Sequence, residues 1–226
     1  MRLPVFRWDD TRPVHTRLRQ LFIQARALVD LPPAVRSFYV RALWTAWRKR
    51  DQYSFDVVAR PRDLAALLRL AADRDRAVEL GTATAWTAIA LCLARASRRV
   101  TTYDPVERTQ RQLYLDLVPA DVSDRITFVH GPGRMGPTGD QSVEFLFVDG
   151  SHDREDTIVT FNVWRPAMTD GGRIVFHDYL DPGNPGVTEA IRELQIPGYR
   201  WGRLFVWTSN GRQPILVATR PAISPA

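Results

Sequence analysis

The chain has 226 residues, 45% of them hydrophobic and 25% charged, a composition that can bury a core and so excludes intrinsic disorder. No apolar run approaches the roughly 20 residues of a bilayer span, and the lone Cys92 excludes an internal disulfide. The net charge of +6 is uneven: residues 1–62 hold 13 cations against five acids, whereas residues 63–226 hold 18 cations against 20 acids.

The basic N-terminal segment reads as helical. Val14, Leu18, Leu21, Phe22, Ala25, Leu28 and Val29 recur at helical spacing behind Pro13, with Trp8 and a solvated His15 nearby. Leu31, Pro32 and Pro33 break that pattern. A second stripe runs through Val35, Phe38, Tyr39, Ala42, Leu43, Ala46 and Trp47, ending in Arg48, Lys49 and Arg50, cations that suit the helix dipole. An irregular stretch follows, and Pro61, Arg62 and Asp63 then open a third helix through Leu64, Leu67, Leu68 and Leu70.

From residue 77 short β-type runs alternate with helical ones. Strands are expected at 77–80, 99–103, 126–130, 143–148 and 173–176, and helices at 88–96, 107–117, 157–168 and 187–194. Two last runs, 201–208 and 214–219, flank Ser209, Asn210, Gly211 and Arg212, a hairpin signal. Alternation of this kind implies a Rossmann-like α/β fold, a mostly parallel seven-stranded sheet covered on both faces. A C-terminal antiparallel hairpin and a helical N-terminal extension complete it. The division expected is a basic helical arm over 1–60 and an α/β domain over 61–226.

Ligands of open α/β sheets bind beyond the carboxyl ends of the strands, so the residues just after each strand carry the information. The first strand leads into Glu79, Leu80, Gly81, Thr82, Ala83, Thr84, Ala85, Trp86 and Thr87. The next ends are Asp104 with Pro105, and Gly131 with Pro132 and Gly133. The last two are Asp149, Gly150, Ser151 and His152, then His177 with Asp178. The first loop is no dinucleotide fingerprint, because Ala83 and the bulky Trp86 stand where that motif has glycines. Its acidic strand end suits a cationic ligand without pyrophosphate. Asp104, 23 residues beyond Gly81, is placed to accept from ribose hydroxyls. A nucleoside bearing an ammonium group satisfies both features.

These motifs resemble those of class I S-adenosylmethionine (SAM)-dependent methyltransferases over about residues 60–220. They are most similar to the metal-dependent O-methyltransferases, both catechol-type and macrolide-sugar-type. The resemblance rests on Glu-Leu-Gly-Thr-Ala-Thr-Ala-Trp-Thr, Tyr-Asp-Pro, Val-Asp-Gly-Ser-His and Phe-His-Asp-Tyr. It implies a SAM site in which Glu79, Gly81, Thr82, Ala83, Trp86 and Thr87 wrap the methionine part and Asp104 holds the ribose. Gly131 and Pro132 then border the adenine, and Asp149 closes the site. Ala85 stands where the family commonly has glycine.

The resemblance further implies a divalent metal, Mg²⁺ or Mn²⁺, on Asp149, His177 and Asp178. The imidazole, in a position where relatives have an oxygen donor, shifts the preference away from Mg²⁺. His152 falls where relatives place the base near the acceptor hydroxyl, and an unperturbed imidazole suits proton removal at neutral pH. The activity implied is O-methylation of a small-molecule hydroxyl, of the kind found in natural-product biosynthesis, in a cytoplasmic protein. The arm is expected to serve as a lid over the acceptor or as a homodimer contact. A competing reading is an RNA-modifying or nucleic-acid-binding protein led by the Arg-rich arm. It is disfavoured because base N-methyltransferases carry Asn/Asp-Pro-Pro-aromatic where this chain has Asp149, Gly150, Ser151 and His152. A third reading keeps the metal-binding fold with oxidative chemistry.

Overall fold

The computed structural model describes residues 26–139 and 142–211. The helix expected through Val14 and Leu21 lies outside them except for its last turn at 26–29, as do Trp8, His15, Arg212 and the run 214–219.

Helix α1 (Pro33–Lys49) starts on a proline, whose fixed φ and missing N–H suit a first turn, and ends in Arg48 and Lys49 with Arg50 as a left-handed cap. Its buried stripe is Val35, Phe38, Tyr39, Ala42 and Ala46, as the periodicity predicts. The stretch read as irregular contains a short helix, α2 (Gln52–Val57), capped by the Asp51 side chain. Six residues carry too few periodic positions to register in a sequence pattern. Helix α3 (Pro61–Leu70) follows, with its leucines buried.

The body then runs β1 (Arg76–Leu80), α4 (Trp86–Ala94), β2 (Arg99–Asp104), α5 (Arg111–Leu115), α6 (Ala120–Ser123) and β3 (Ile126–His130). It continues with β4 (Val143–Val148), α7 (Arg154–Trp164), β5 (Met168–Phe176), α8 (Pro185–Leu194), β6 (Tyr199–Trp201) and β7 (Leu204–Thr208). Helix α5 begins later than expected because the chain first turns about Asp104, whose carboxylate accepts the Val106 N–H at 2.8 Å. Helix α7 begins earlier, at the Asp153 cap, and yields at Pro166 to a tight turn that feeds a longer β5.

The seven strands lie in the order β3-β2-β1-β4-β5-β7-β6. Strands β1 to β5 pair in parallel, and β7 is antiparallel to both β5 and β6. The expected α/β sheet with antiparallel strands at its C-terminal end is therefore present, with one correction. The run 201–208 is broken at Gly202 (φ +65) and holds two strands, β6 and β7, that pair with each other, while the expected pairing with 214–219 lies outside the described residues.

Alternating side chains give the sheet two apolar faces. Ala77, Phe145 and Phe147 pack with Phe38, Leu67 and Ile89, from α1, α3 and α4. Val78, Leu146 and Ile174 pack with Phe161, Trp164 and Ile191, from α7 and α8. Phe38 and Tyr39 meet Trp86 edge-on, at 6.1 and 5.6 Å, so the basic segment's described helix shares its core with the first helix of the body. No helix among the described residues is long and apolar enough to cross a membrane.

Candidate functional site

The order of the sheet reverses between β1 and β4, and a cavity of about 700 Å³ opens there beyond the strand ends. Its floor is the turn between β1 and α4. Gly81 (φ +104) faces β4 so closely that a Cβ would lie 2.2 Å from the Asp149 carbonyl oxygen. Only glycine fits this backbone and this approach. Thr82, Ala83, Trp86 and Thr87 follow on the wall, as do Asp104 and Pro132. The Trp86 indole N–H is buried without a partner. Asp104 accepts the Ala83 N–H at 2.8 Å and pairs with Arg111 at 3.3 Å, which ties the turn to the end of β2.

Two expected cofactor residues are not on the wall. Glu79 is 1% exposed beneath the turn and accepts the Thr102 hydroxyl at 2.6 Å. Burial, aided by the charges of Asp149 and Asp104, pushes its carboxyl up to about 8. Gly131 spends its N–H on the Asp104 carbonyl at 3.1 Å and sits behind Pro132.

At the far side of the turn four expected residues come together. Asp149 ends β4, His177 and Asp178 follow β5, and His152 reaches in from the loop before α7. The His177 Nδ1 atom is 2.9 Å from Asp149 Oδ1 and 3.0 Å from Asp178 Oδ1. The His152 Nε2 atom is 3.0 Å from Asp178 Oδ2 and 3.7 Å from Asp149 Oδ1. These are ion-pair distances, yet neither His177 nitrogen nor His152 Nε2 is aligned for a hydrogen bond, and all three are buried. Asp149, His152 and His177 offer ligand atoms within 4.8 Å of one another, a donor set that could hold a cation. Asp178, expected among the ligands, sits at φ +57 with its carboxylate engaged by Arg203 and by Asn184 at 2.6 Å.

The charges shape the titration. Contacts with Asp149 and then Asp178 push His152 up to about 9 against the opposing effect of burial. Burial alone would lower His177, but Asp149, Asp178 and Asp63 hold it well above its usual value. Asp178 is held well below the carboxylate range, burial being overcome by the two histidines and Arg203.

Sequence reasoning missed Asp63, Arg203 and Asn184. Asp63 is buried in α3 with its carboxylate 3.8 Å from His177 Nε2, although its place after a proline marks only a helix start. Arg203 stands in the β6–β7 turn, and no sequence spacing ties it to β5. Arg108 was also unmarked; it stacks on the Tyr53 ring at 3.8 Å on the cavity wall. Cys92 is buried with its thiol pushed up to about 11, and His130 pairs with Glu107 at 3.8 Å, both side chains largely exposed.

Residues 78–179, which carry the turn, Asp104, Asp149, His152, His177 and Asp178, match the family model described as a methyltransferase domain. Over that stretch the chain is similar to a methyltransferase domain. The match marks an enzyme of the methyltransferase type, and solved structures agree on the fold. CalS11, described as a TDP-rhamnose 3'-O-methyltransferase of calicheamicin biosynthesis, superposes with TM-score 0.54 at 18% identity, over 92% of this chain and 99% of that one. A SAM-dependent O-methyltransferase from Thermotoga maritima gives TM-score 0.54 at 17% identity, over 69% and 68% of the two chains. The cofactor-bound protein Rv0187 from MTB gives 0.59 at 18%, over 78% and 91%. No curated protein matches the sequence.

Proposed function

We propose that the enzyme moves the SAM methyl group to a hydroxyl of a small molecule, with His152 taking the hydroxyl proton. The observation that carries this reading is the placement of His152. Its imidazole lies on the wall of the same cavity as the cofactor turn, held beside Asp149 and Asp178. Methyl transfer from a sulfonium is an in-line displacement. The acceptor oxygen forms the C–O bond while the C–S pair returns to sulfur, a neutral leaving group that needs no proton. The chain must therefore supply alignment and an oxygen relieved of its proton.

The two histidines divide the work by exposure. The His152 side chain is 33% exposed and can reach an acceptor, whereas that of His177 is 11% exposed and faces Asp149. The buried, unaligned imidazole nitrogens fit a divalent ion held by Asp149 and His177, and a mixed nitrogen and oxygen set favours Mn²⁺, Fe²⁺ or Zn²⁺ over Mg²⁺. Asp149 and His177 would hold such an ion, and its charge would polarise the acceptor oxygen and offset the carboxylate charge that keeps His152 protonated. Asp178, committed to Arg203, orients both imidazoles.

Tyr53, Asp56 and Val57 of α2 line the cavity, which supports the lid reading of the N-terminal segment. Likeness to CalS11 makes hydroxylated natural products and their sugars the first acceptors to assay. The test is calorimetric titration of SAM and of Mn²⁺ separately, followed by methyl transfer to such acceptors. His152→Ala is expected to bind SAM as the wild type does and to lose transfer at least 100-fold. Undiminished transfer by this variant removes the base role, and a wild type that binds no SAM overturns the reading.

A further inference from the structure

The cofactor turn is built on backbone that alanine disfavours. Ala83 (φ +44) and Ala85 (φ +69) stand on either side of Thr84, both in the left-handed region. There a Cβ crowds the following carbonyl oxygen, so such residues persist only where neighbours hold them. Within the body, the Ala83 N–H is held by Asp104 at 2.8 Å and its C=O by Arg111 Nε at 2.9 Å.

A further hold comes from the segment before α3. The Ser54 hydroxyl of α2 lies 2.7 Å from Asp51 Oδ2 and 3.0 Å from Thr84 Oγ1. A hydroxyl has one proton to give. The Ser54 hydroxyl is directed at both acceptors, the Asp51 carboxylate and the Thr84 oxygen, and shares that proton between them. Asp51 is fixed in turn by the Ser54 N–H at 3.1 Å and by the Tyr114 hydroxyl of α5 at 2.6 Å. Exposure is 9% for Asp51, 2% for Thr84 and 0% for Ser54 and Tyr114, so water does not compete for these bonds. Of the four, only Thr84 lies on the cavity wall.

We propose that Asp51 and Ser54 are positioning residues: through Thr84 they clamp the left-handed turn in its binding shape before the cofactor arrives. That the ligand is SAM rests on the function proposed above; the clamp on the turn does not. A turn released from the clamp spends less time in the competent shape, and apparent affinity falls by that fraction. Loss of one buried hydrogen bond with its partner left unsatisfied predicts SAM binding weaker by roughly 10-fold in Ser54→Ala. The distinguishing variant is Ser54→Ala combined with Ala85→Gly. Glycine accepts the left-handed conformation freely, so the turn no longer needs the hold.

Two readouts are compared across wild type, Ser54→Ala and the double variant. These are SAM affinity by calorimetry and hydrogen exchange of the Ala83 and Ala85 amides without ligand. The expected result is weaker binding and roughly 10-fold faster exchange in Ser54→Ala, with both recovered to within about 3-fold in the double variant. Exchange unchanged in Ser54→Ala, or a loss that Ala85→Gly does not recover, overturns the clamp, since a merely structural hydrogen bond is not restored by relieving strain elsewhere. A wild type without SAM affinity overturns the cofactor reading, and the exchange rates then decide the clamp by themselves.

Discussion

Gly81→Ala is expected to be the most damaging single-methyl addition in the turn between β1 and α4. At φ +104 the backbone is disfavoured for any residue with a Cβ, a cost of about 1–2 kcal/mol. The added carbon would also lie 2.2 Å from the Asp149 oxygen and 2.7 Å from its carbonyl carbon. Neither side yields easily. The Gly81 N–H is bonded to the Tyr103 carbonyl at 2.8 Å, and the Asp149 N–H to the Leu80 carbonyl at 2.9 Å. Overpacking of this kind costs ~1–3 kcal/mol, giving a total of about 2–5 kcal/mol. Typical domains hold only about 5–15 kcal/mol in all. Gly139→Ala is the control. Its φ is +82, but nothing lies within 4 Å of the added carbon, so only the backbone cost of ~1–2 kcal/mol remains. Urea unfolding followed by tryptophan fluorescence reads both. Equal losses in the two variants would refute the close approach of Gly81 to β4, and with it the geometry of the cofactor turn.

Glu79→Gln tests the buried carboxyl. An unfolded Glu ionises near ~4.3, whereas the folded one waits until about 8, so the unfolded chain holds fewer protons between those values and stability falls as pH rises. Glutamine keeps an acceptor for Thr102 and cannot ionise, so urea midpoints at pH 5 and pH 8 should differ less in the variant, by on the order of 3 kcal/mol converted to free energy. Equal pH slopes would contradict it. Asp178→Asn should cost about 2–4 kcal/mol, because Arg203 and two imidazoles lose their shared carboxylate, and NMR titration should find His152 at least about 1 unit lower. An unmoved His152 would show that Asp178 does not set its charge. Mn²⁺ titration should lose its heat in His177→Ala and retain it in Asp178→Asn. The opposite pattern would return Asp178 to the ligands.

The strands and most of the helices were legible because burial imposes period. The apolar runs of β1 and β4 and the stripe of α1 announce themselves whatever their neighbours do. So do the strand-end residues, since a parallel sheet delivers each of them to one edge. What escaped depends on contacts that no local pattern encodes. Asp63 meets His177 only because α3 packs beneath β5, and Arg203 reaches Asp178 only because the chain returns in an antiparallel strand beside it. Glu79 misled for a related reason. An acid ending a strand reads as facing the ligand, but the pleat turns its side chain under the turn towards Thr102. The replacement of glycine by Ala85 was visible as a departure from the family pattern, while its left-handed backbone was visible only in the fold.

The central claim is that SAM occupies the cavity between the 81–87 turn and Asp104. Calorimetric titration of SAM into the wild type and into Asp104→Ala tests it most directly. One-to-one binding is expected in the wild type, weakened at least about 10-fold in the variant, which loses the proposed ribose acceptor and the bond to Ala83. Identical affinity in the two proteins, or no binding in either, would contradict it.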